Sequence, residues 1–432
     1  MTAKNKSLSF LFLLGFFCVN AQEKLTFDQA LTLMLEQNYD IKMQEITKEK
    51  ANNSATLMNA DFLPSLSADG GAGWTYFAGV NRLQTQEIDL NANSSYTYDA
   101  GITLNYILFN GFSRKYRLLI NQESAHIAEE QLKLLVQNSI LELSRSYYEL
   151  AFLKENVSLL QSSFDISKDR LLRAKYGYEY GKNSQLDVLS AKVDYNTDSI
   201  AVLNAQLDYN NAQRNLNLLL GEDIERVYDV DNQVVIESDI ALNEVLTQTT
   251  ESNIDLKINE ANYISAKYAM ANARSPWMPV ISTNAGYNYR GSEDPNGAFL
   301  IGSTRYGPQA AVRLTWNLFD GKNVVNQKNA KLEVERSEIA KSKLEQQVKA
   351  QAYNSFSLYQ NAMAVLNAQE DNVATASRNF ERSKEAKSLG QITNADYRLA
   401  QLNYLQALQN RSKAKFDAKN AELQVKAVMG VL

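Results

Sequence analysis

Two very long helical stretches, residues 113–176 and 322–388, constrain the fold more than any other feature. Neither contains proline, and glycine is absent from their interiors. At about 1.5 Å per residue, each would extend about 100 Å, which is too long for an ordinary globular domain. The two stretches therefore predict elongated, coiled-coil-like elements.

The spacing of apolar residues in the helical regions supports this prediction. One set comprises Val136, Ile140, Leu143, Tyr147 and Leu150, and a second comprises Leu186, Leu189, Val193, Ile200, Leu203 and Leu207. Both sets repeat every 3.5 residues on average, which is typical of a left-handed coiled-coil seam. Because the core of a plain helical bundle gives a similar pattern, periodicity leaves both interpretations open.

The chain contains two copies of one plan. The segment NYDIK at 38–42 matches NIDLK at 253–257 with a shift of 215 residues, and YILFNG at 106–111 matches WNLFDG at 316–321 with a shift of 210. The segment YGKNSQLDV, which begins at Tyr180, matches LGQITNADY, which begins at Leu389, with a shift of 209. These matches predict a duplicated module of about two hundred residues, not a short solenoid repeat.

The duplication sets the expected domain boundaries. The first repeat covers 22–221 and the second covers 245–432, separated by an acidic connector at 222–244 in which QVVIES (233–238) predicts a short strand. Each repeat opens with a helical segment, which in the first copy spans 27–60. The expected elements that follow in the first repeat are strands at about 62–77 and 94–109, a long helix at about 113–176, a tip turn at 177–184 and a return helix at 185–220. Those of the second repeat are strands at about 277–290 and 305–319, a long helix at about 322–388, a tip turn at 389–393 and a return helix at 394–429.

The first residues predict a secretory signal peptide over 1–21. Lys4 and Lys6 precede the apolar run LSFLFLLGFFCV, and small side chains before Gln22 indicate cleavage after Ala21. The alternative is a buried N-terminal helix. Cleavage would remove the single cysteine, Cys18, whose neighbours do not fit a lipid-attachment site, and would leave one histidine, His126. The mature chain would then have no thiol nucleophile and no His-based metal cluster, so neither cofactor nor metal is predicted.

Four stretches alternate apolar and polar residues, which predicts strands with one apolar and one polar face. Aromatic residues gather towards the strand ends, as in the interfacial girdles of outer-membrane strands. The aromatics expected at the membrane interface are Trp74, Tyr76, Tyr96, Tyr98, Tyr289 and Trp316. The alternative is a sheet packed on a water-soluble core. Barrels of this kind have at least about eight strands, so a barrel would need several chains, and three would supply 3 × 4 = 12 strands.

With this duplicated plan, the Pro-led strands, the LFNG and LFDG strand ends and the glycine turns, the chain resembles the TolC family of outer-membrane efflux channels. The resemblance covers essentially the whole mature chain. It implies a mainly α fold with a membrane β part: a homotrimer with a 12-stranded β-barrel continuous with a long periplasmic α-helical barrel. It also implies outer-membrane lipid, a periplasmic adaptor (membrane fusion) protein and an inner-membrane transporter as partners, in the outer membrane of a Gram-negative bacterium.

The resemblance places the periplasmic tips at two corresponding turns. Their residues are Gly181, Ser184 and Asp187 in the first repeat and Gly390, Thr393 and Asp396 in the second. Glycine permits the turn, the hydroxyl residue can cap the returning helix, and the aspartate suits its first turn, so capping alone would explain all six. The family's role adds adaptor docking at the turns and a constriction ring formed by Asp187 and Asp396. Ile392 and Leu399 stand where the family often has arginine and a second aspartate, so the closed-state ion pairs are in question.

The chain shows no grouping of nucleophile, base and oxyanion donor, so no enzyme activity is predicted. The net charge of −5, without a Lys/Arg run, argues against nucleic acid as the main partner. We therefore expect an outer-membrane exit duct of a tripartite efflux pump or type I secretion system, conducting substrate passively. A non-transporting structural coiled coil would leave the strands unexplained, and a passive porin would leave the helices unexplained.

Overall fold

The computed structural model describes residues 23–82, 84–237, 239–293 and 301–432, so the predicted signal peptide lies outside the described residues. The chain divides into two compact units. The tip unit, which holds both tip turns, comprises the described residues within Met1–Asn38, Ile140–Glu237 and Gln360–Glu422. The sheet unit, which holds the long strands, comprises Tyr39–Ser139, Ser238–Tyr359 and Leu423–Leu432.

Eight α-helices and six strands follow one another in the described residues, with the two repeats visible in their order. The helices are α1 (Phe27–Gln37), α2 (Tyr39–Ser54), α3 (Ser113–Glu179), α4 (Gln185–Leu220), α5 (Leu242–Ser252), α6 (Ile254–Asn272), α7 (Gly321–Ser388) and α8 (Asn394–Met429). The strands are β1 (Glu23–Leu25), β2 (Ser65–Arg82), β3 (Glu87–Asn110), β4 (Tyr228–Val230), β5 (Val280–Glu293) and β6 (Gly302–Thr315). None of the described helices combines the length and the apolarity that a bilayer crossing requires.

The sheet unit contains an antiparallel sheet in the order β2-β3-β5-β6. The strands differ from the predicted ranges at both ends. In the first hairpin, β2 and β3 pair as far as Arg82 opposite Glu87, so most of the polar stretch predicted as a loop belongs to the strands. In the second hairpin, β5 begins only at Val280 because Ser275–Trp277 forms a short 3-10 helix with proline near its start, and β6 ends at Thr315, before LFDG. Ladder hydrogen bonds, which the side-chain pattern does not report, set these limits.

The opening helical segment of each repeat is broken into two helices at an asparagine. In the first repeat α1 ends and α2 begins at Asn38, whose backbone is extended (φ −57°, ψ 128°). Asn253 occupies the corresponding position between α5 and α6, with φ −58° and ψ 128°. Each asparagine is buried and hydrogen-bonded to a distant carbonyl, so tertiary contacts override the helical pattern that predicted one continuous element over 27–60.

The core of the tip unit forms around a two-stranded parallel sheet, in which β1 pairs with β4. The predicted strand at 233–238 is wrong over its described part, 233–237, because the connector pairs with the N-terminal segment earlier, at Tyr228–Val230. Tyr147 of α3 is buried against this sheet, and its hydroxyl donates to the carbonyl of Leu25 at 2.7 Å. The N-terminal segment, α3 and the connector thus share one core.

Candidate functional site

The first tip turn joins α3 to α4 through a glycine and a complete capping box. Gly181 has φ 71°, and a methyl group there would meet no heavy atom within 4 Å, so only its backbone conformation demands glycine. The Ser184 hydroxyl accepts the backbone N–H of Asp187 at 3.3 Å. In return, the Asp187 carboxylate accepts the Ser184 backbone N–H at 2.9 Å and its hydroxyl at 2.7 Å. The N-terminus of α4 is therefore satisfied by its own side chains.

The second tip turn repeats this geometry. Gly390 has φ 75°. The Thr393 hydroxyl accepts the backbone N–H of Asp396 at 3.1 Å, and the Asp396 carboxylate accepts the Thr393 N–H at 3.1 Å and hydroxyl at 2.6 Å. The structure therefore brings together each predicted glycine, hydroxyl residue and aspartate within its own turn. This arrangement accounts for all six residues as caps, and a role for the two carboxylates in a ring needs further copies of the chain.

Both tip carboxylates are held in the charged form. Hydrogen bonds from the Ser184 hydroxyl and backbone, with a smaller effect of Lys387, lower the pKa of Asp187 below its ordinary value. The hydroxyl and backbone of Thr393 lower the pKa of Asp396 in the same way. Both side chains are reached by solvent. Each turn therefore presents one negative charge to water at neutral pH.

Asn183 is a tip residue that the sequence pattern did not single out. Its side-chain amide donates to the carbonyl of Ala174 at 3.3 Å, within the last turns of α3. A methyl group on Gly177 would lie 2.3 Å from the Asn183 amide nitrogen, so the side chain fits only because position 177 is glycine. The sequence pattern gave no signal for this contact between Asn183 and Ala174. The corresponding position of the second turn is Ile392, which has no side-chain amide to make this hydrogen bond.

A buried polar cluster lies deeper in the tip unit and was not predicted. The Arg398 guanidinium of α8 forms an ion pair with Asp198 of α4, and both side chains are about nine-tenths buried. Ser163 of α3 donates to the second Asp198 oxygen at 3.3 Å, and the Gln401 amide donates to Ser163 at 3.2 Å. This cluster joins helices of both repeats. It gives α8 an arginine ion pair near its start, at Arg398.

A second ion pair lies beside that cluster. Arg170 of α3 pairs with Asp194 of α4, one helical turn from Asp198. Burial lowers the pKa of Arg170, and the nearby Arg398 lowers it further, whereas Asp194 opposes both effects. Two arginines and two aspartates therefore neutralise one another between three helices. The only sequence signal is the spacing of four residues between Asp194 and Asp198, which many solvated helix faces share.

The seam predicted on α4 is not covered within the chain. Leu186, Leu189, Val193, Ile200, Leu203 and Leu207 are each more than half exposed. The seam predicted on α3 behaves differently, because Leu143, Tyr147 and Leu150 are fully buried. In the sheet unit, α7 presents a further exposed row at intervals of seven residues: Val325, Leu332 and Ile339. Two helices thus carry apolar rows at coiled-coil spacing whose side chains are more than half exposed in the single chain.

The sheet has one apolar face, and it is open to solvent in the single chain. Large exposed side chains on this face are Leu66, Trp74, Tyr76, Tyr96, Tyr98, Ile102, Tyr287, Tyr289, Tyr306, Val312 and Leu314. Register places Trp74 opposite Tyr96 and Tyr289 opposite Tyr306. These aromatics fall in neighbouring rows, which lie near the hairpin end of β5 and β6 and about midway along β2. Such a band is typical of the membrane interface in outer-membrane strands.

Trp316 is placed differently from the other predicted interface aromatics. It follows the last residue of β6, and its indole N–H donates to the carbonyl of Trp277 at 3.1 Å. It therefore lies at the opposite end of the strands from Trp74, beside the start of β5. Across the described residues, no group of histidine, cysteine and acidic side chains has the arrangement of a metal site.

Comparisons with known proteins agree with this geometry. The chain matches the family described as "Outer membrane efflux protein" over residues 30–222 and 245–431. It is 22% identical over 324 residues to the outer membrane protein TolC of Vibrio cholerae, covering 72% of each chain. The Campylobacter jejuni CmeC outer membrane channel has a similar fold, with a TM-score of 0.75 at 16% identity over 94% of this chain and 85% of that one. The outer membrane protein VceC of Vibrio cholerae gives a TM-score of 0.71 at 15% identity over 94% of this chain and 96% of that one.

Proposed function

The chain belongs to the outer membrane efflux protein family, and we propose on that premise how it forms its outer-membrane exit duct. Three copies close a single barrel of 3 × 4 = 12 strands, since each copy supplies a four-stranded sheet. The tip turns of the three copies face the periplasm. There they meet a periplasmic adaptor protein, which links the duct to an inner-membrane transporter.

The observation that carries this proposal is a four-stranded sheet with an exposed apolar face and two outer strands, β2 and β6. Neither outer strand pairs on its free side within the described residues. In hydrocarbon, unpaired backbone N–H and C=O groups each cost several kcal/mol, so an open edge is not tolerated there. In water, the exposed apolar face would be unfavourable. Closure with further copies of the same sheet removes both problems, which supports the ring of identical chains.

The uncovered helix rows support assembly from identical chains as well. The α4 row and the α7 row both repeat at the interval that favours packing against a neighbouring helix. Burial of a leucine or valine stabilises an interface by about 1.5–3 kcal/mol per side chain. A second copy is the natural occupant of the α7 row, because this row lies in the same unit as the sheet and closure of the sheet brings a further copy alongside.

The tips provide the restricting element of the proposed duct. Three copies would bring 3 × 2 = 6 carboxylates together, from Asp187 and Asp396 of each chain. Such a ring favours cations and hinders anions. The exposed turn residues, including Tyr180 and Leu389, present a surface for adaptor docking. Flow is passive, and the partner proteins open the tips and supply the energy.

Proximity between copies is the direct test of the barrel. The mature chain would contain no cysteine, so Ser67→Cys on β2 can be combined with single cysteines introduced along the polar side of β6. We expect disulfide-linked dimers and trimers in outer-membrane fractions for at least one β6 position. Thr103→Cys on β3, an interior strand, is the matched control and should give no intermolecular product with the same partners. Monomers alone at every β6 position would contradict the barrel.

The helix interface is tested by charge insertion on α4. Leu203→Asp places a carboxylate in the exposed apolar row, whereas Asn204→Asp places one on the neighbouring exposed polar position. Leu203→Asp should reduce the trimer fraction measured by light scattering in detergent, and Asn204→Asp should leave it unchanged. Equal trimer fractions in both variants would remove α4 from the proposed interface.

Docking at the tips is tested in cells. A photo-crosslinking amino acid at positions 178–184 or 387–393 should capture a periplasmic adaptor, identified by mass spectrometry. The captured adaptor identifies the transporter that the duct serves. Placement of the same probe at Asn53, an exposed residue of α2 in the sheet unit, provides the comparison. Capture from α2 but not from either turn would contradict docking at the tips.

A further inference from the structure

The polar face of the second strand pair carries three exposed arginines, Arg290 on β5 and Arg305 and Arg313 on β6. None of them forms an ion pair within the part of the chain that the structure describes. Arg82, at the far end of the same sheet, pairs with Glu87. Among the described residues, the three arginines therefore lack the acidic partner that Arg82 has.

Register sets two of these arginines directly opposite each other. Arg290 of β5 faces Arg305 of β6, so their side chains leave the same face of the sheet as nearest cross-strand neighbours. Directly opposed like charges destabilise a strand pair, by roughly 0.2–1 kcal/mol on the scale of such contacts. Arg313 is opposite Ser282 and is not part of this pair.

The acidic residues of the same face do not neutralise the pair. Asp99 of β3 is opposite Arg290, but its carboxylate leans the other way, over Gly71 of β2. A methyl group at Gly71 would lie 2.9 Å from the Asp99 Oδ1 atom. Asp69 likewise lies beside Gly101 on the first strand pair. On this face, Asp69 and Asp99 thus place negative charge on β2 and β3, and the arginines place positive charge on β5 and β6.

Two neighbouring guanidinium groups match the chemistry of an oxyanion. Each guanidinium is planar, always charged and able to donate two parallel hydrogen bonds to a carboxylate, phosphate or sulfate group. The polar face of a transmembrane barrel lines its water-filled interior. If this face lines the proposed duct, the pair is reached by soluble anions from the lumen and lies on the opposite face from lipid.

We propose that Arg290 and Arg305 form a binding site for soluble multivalent oxyanions on the polar face of the sheet. The proposal rests on the proposed duct, because only that assembly makes this face a lumen. The proposed site would give the barrel a preference for anionic groups, whereas the tips carry negative charge. Each of the three copies would contribute one such site to the ring.

Calorimetric titration of the purified protein with pyrophosphate tests the site, in a non-ionic detergent that contains no phosphate and without divalent cations. Arg290→Gln combined with Arg305→Gln should weaken pyrophosphate binding by at least about tenfold, which corresponds to about 1.4 kcal/mol. The control combines Arg82→Gln and Arg313→Gln, which removes an equal number of positive charges from the same sheet. Affinity in this control should be that of the unmodified protein. Equal affinity in all three proteins, or no binding to the unmodified protein, overturns the proposal.

Two further measurements distinguish a soluble anion from a lipid headgroup, and a failure of the site from a failure of the duct. Displacement of bound pyrophosphate by added phosphatidylglycerol would show that the arginines bind a lipid headgroup, and it would overturn the soluble-anion site. Each preparation is also inserted into planar bilayers of a neutral lipid. Current steps from all three proteins, with the expected pattern of affinities, support both the duct and the site. Current steps without pyrophosphate binding reject the site alone, whereas monomers alone in the crosslinking of Ser67→Cys with cysteines along β6 reject the duct on which it rests.

Discussion

The side-chain amide of Asn38 donates a hydrogen bond to the backbone carbonyl of Leu219 at 2.8 Å. In the second repeat, Asn253 donates in the same way to the carbonyl of Val428 at 3.1 Å. Both asparagines are buried, and each ties the break between the opening helices of its repeat to the end of the return helix. The duplication thus extends from sequence matches to individual tertiary hydrogen bonds.

Loss of either asparagine amide should destabilise its unit. Asn38→Ala would leave the part-buried carbonyl of Leu219 without this donor, and loss of such a donor typically costs about 1–3 kcal/mol. Asn53→Ala, at an exposed position of α2, should change the free energy of unfolding by no more than about 0.5 kcal/mol. Urea unfolding followed by far-UV circular dichroism compares the two. Equal effects would mean that the Asn38 hydrogen bond contributes nothing measurable.

Breaking the buried ion pair between Arg398 and Asp198 should be costly, and replacing both partners should not. Arg398→Met leaves the Asp198 carboxylate buried without its cation, with an expected loss of about 3–5 kcal/mol. Combining Arg398→Met with Asp198→Leu should recover most of that loss, because no uncompensated charge stays buried. A double-mutant cycle on urea unfolding measures the coupling. Additive effects of the two substitutions would show that the pair is not coupled.

The tip aspartates should affect cation preference, whereas their hydroxyl caps should affect only helix stability. Ser184→Ala and Thr393→Ala each remove a cap, which costs about 1 kcal/mol of helix stability. The double variant Asp187→Asn with Asp396→Asn keeps a hydrogen-bond acceptor but removes the charge. Reversal potentials under a potassium chloride gradient should show reduced cation preference for the aspartate variants and unchanged preference for the hydroxyl variants. The same preference in both sets would leave the aspartates with a capping role only.

The cation preference should also persist into acid. The folded-state pKa of Asp187 and of Asp396 is lowered from an ordinary value of 3.8. A carboxylate with a lowered pKa stays charged, and can attract cations, until the pH falls through that lowered pKa. The preference should therefore stay constant from neutral to mildly acidic pH and decline only below about 3.8. A decline well above that value would show that other groups set the preference.

The burial of Tyr147 predicts that the folded protein loses stability in alkali. Burial raises the pKa of its hydroxyl from 10.0 to about 12 in the folded protein. The protonated form is therefore favoured by folding. Its contribution is complete below pH 10.0, and it falls away as the pH rises towards about 12. Tyr147→Phe should flatten the alkaline decline in unfolding free energy, whereas Tyr178→Phe, at an exposed tip position, should not. An unchanged slope for Tyr147→Phe would contradict the assignment.

Local patterns were sufficient to predict the element types and the chemistry of the tips. The absence of proline and glycine predicted the long helices, and period-two alternation predicted four strands of the sheet. The order of glycine, hydroxyl residue and aspartate predicted the N-caps by Ser184 and Thr393, because each of these contacts joins residues within one turn of chain. The return hydrogen bonds to Asp187 and Asp396, which complete the capping boxes, were not predicted. The strand limits were less accurate, since pairing between strands extends or shortens a strand without changing its side-chain pattern.

By itself, the sequence determined the duplication through matches between distant segments. It also determined the long helices, the four long strands and the two turns, because each of these depends on neighbours a few positions apart. Only the tertiary structure decided which apolar rows are covered: it buries Leu143 of α3 and leaves Leu203 of α4 exposed, although both show the same spacing. It alone paired Arg398 with Asp198 and set Arg290 opposite Arg305. The physical reason is that contacts between distant segments follow from packing and strand register, and the spacing of residues along one segment carries no information about its partner.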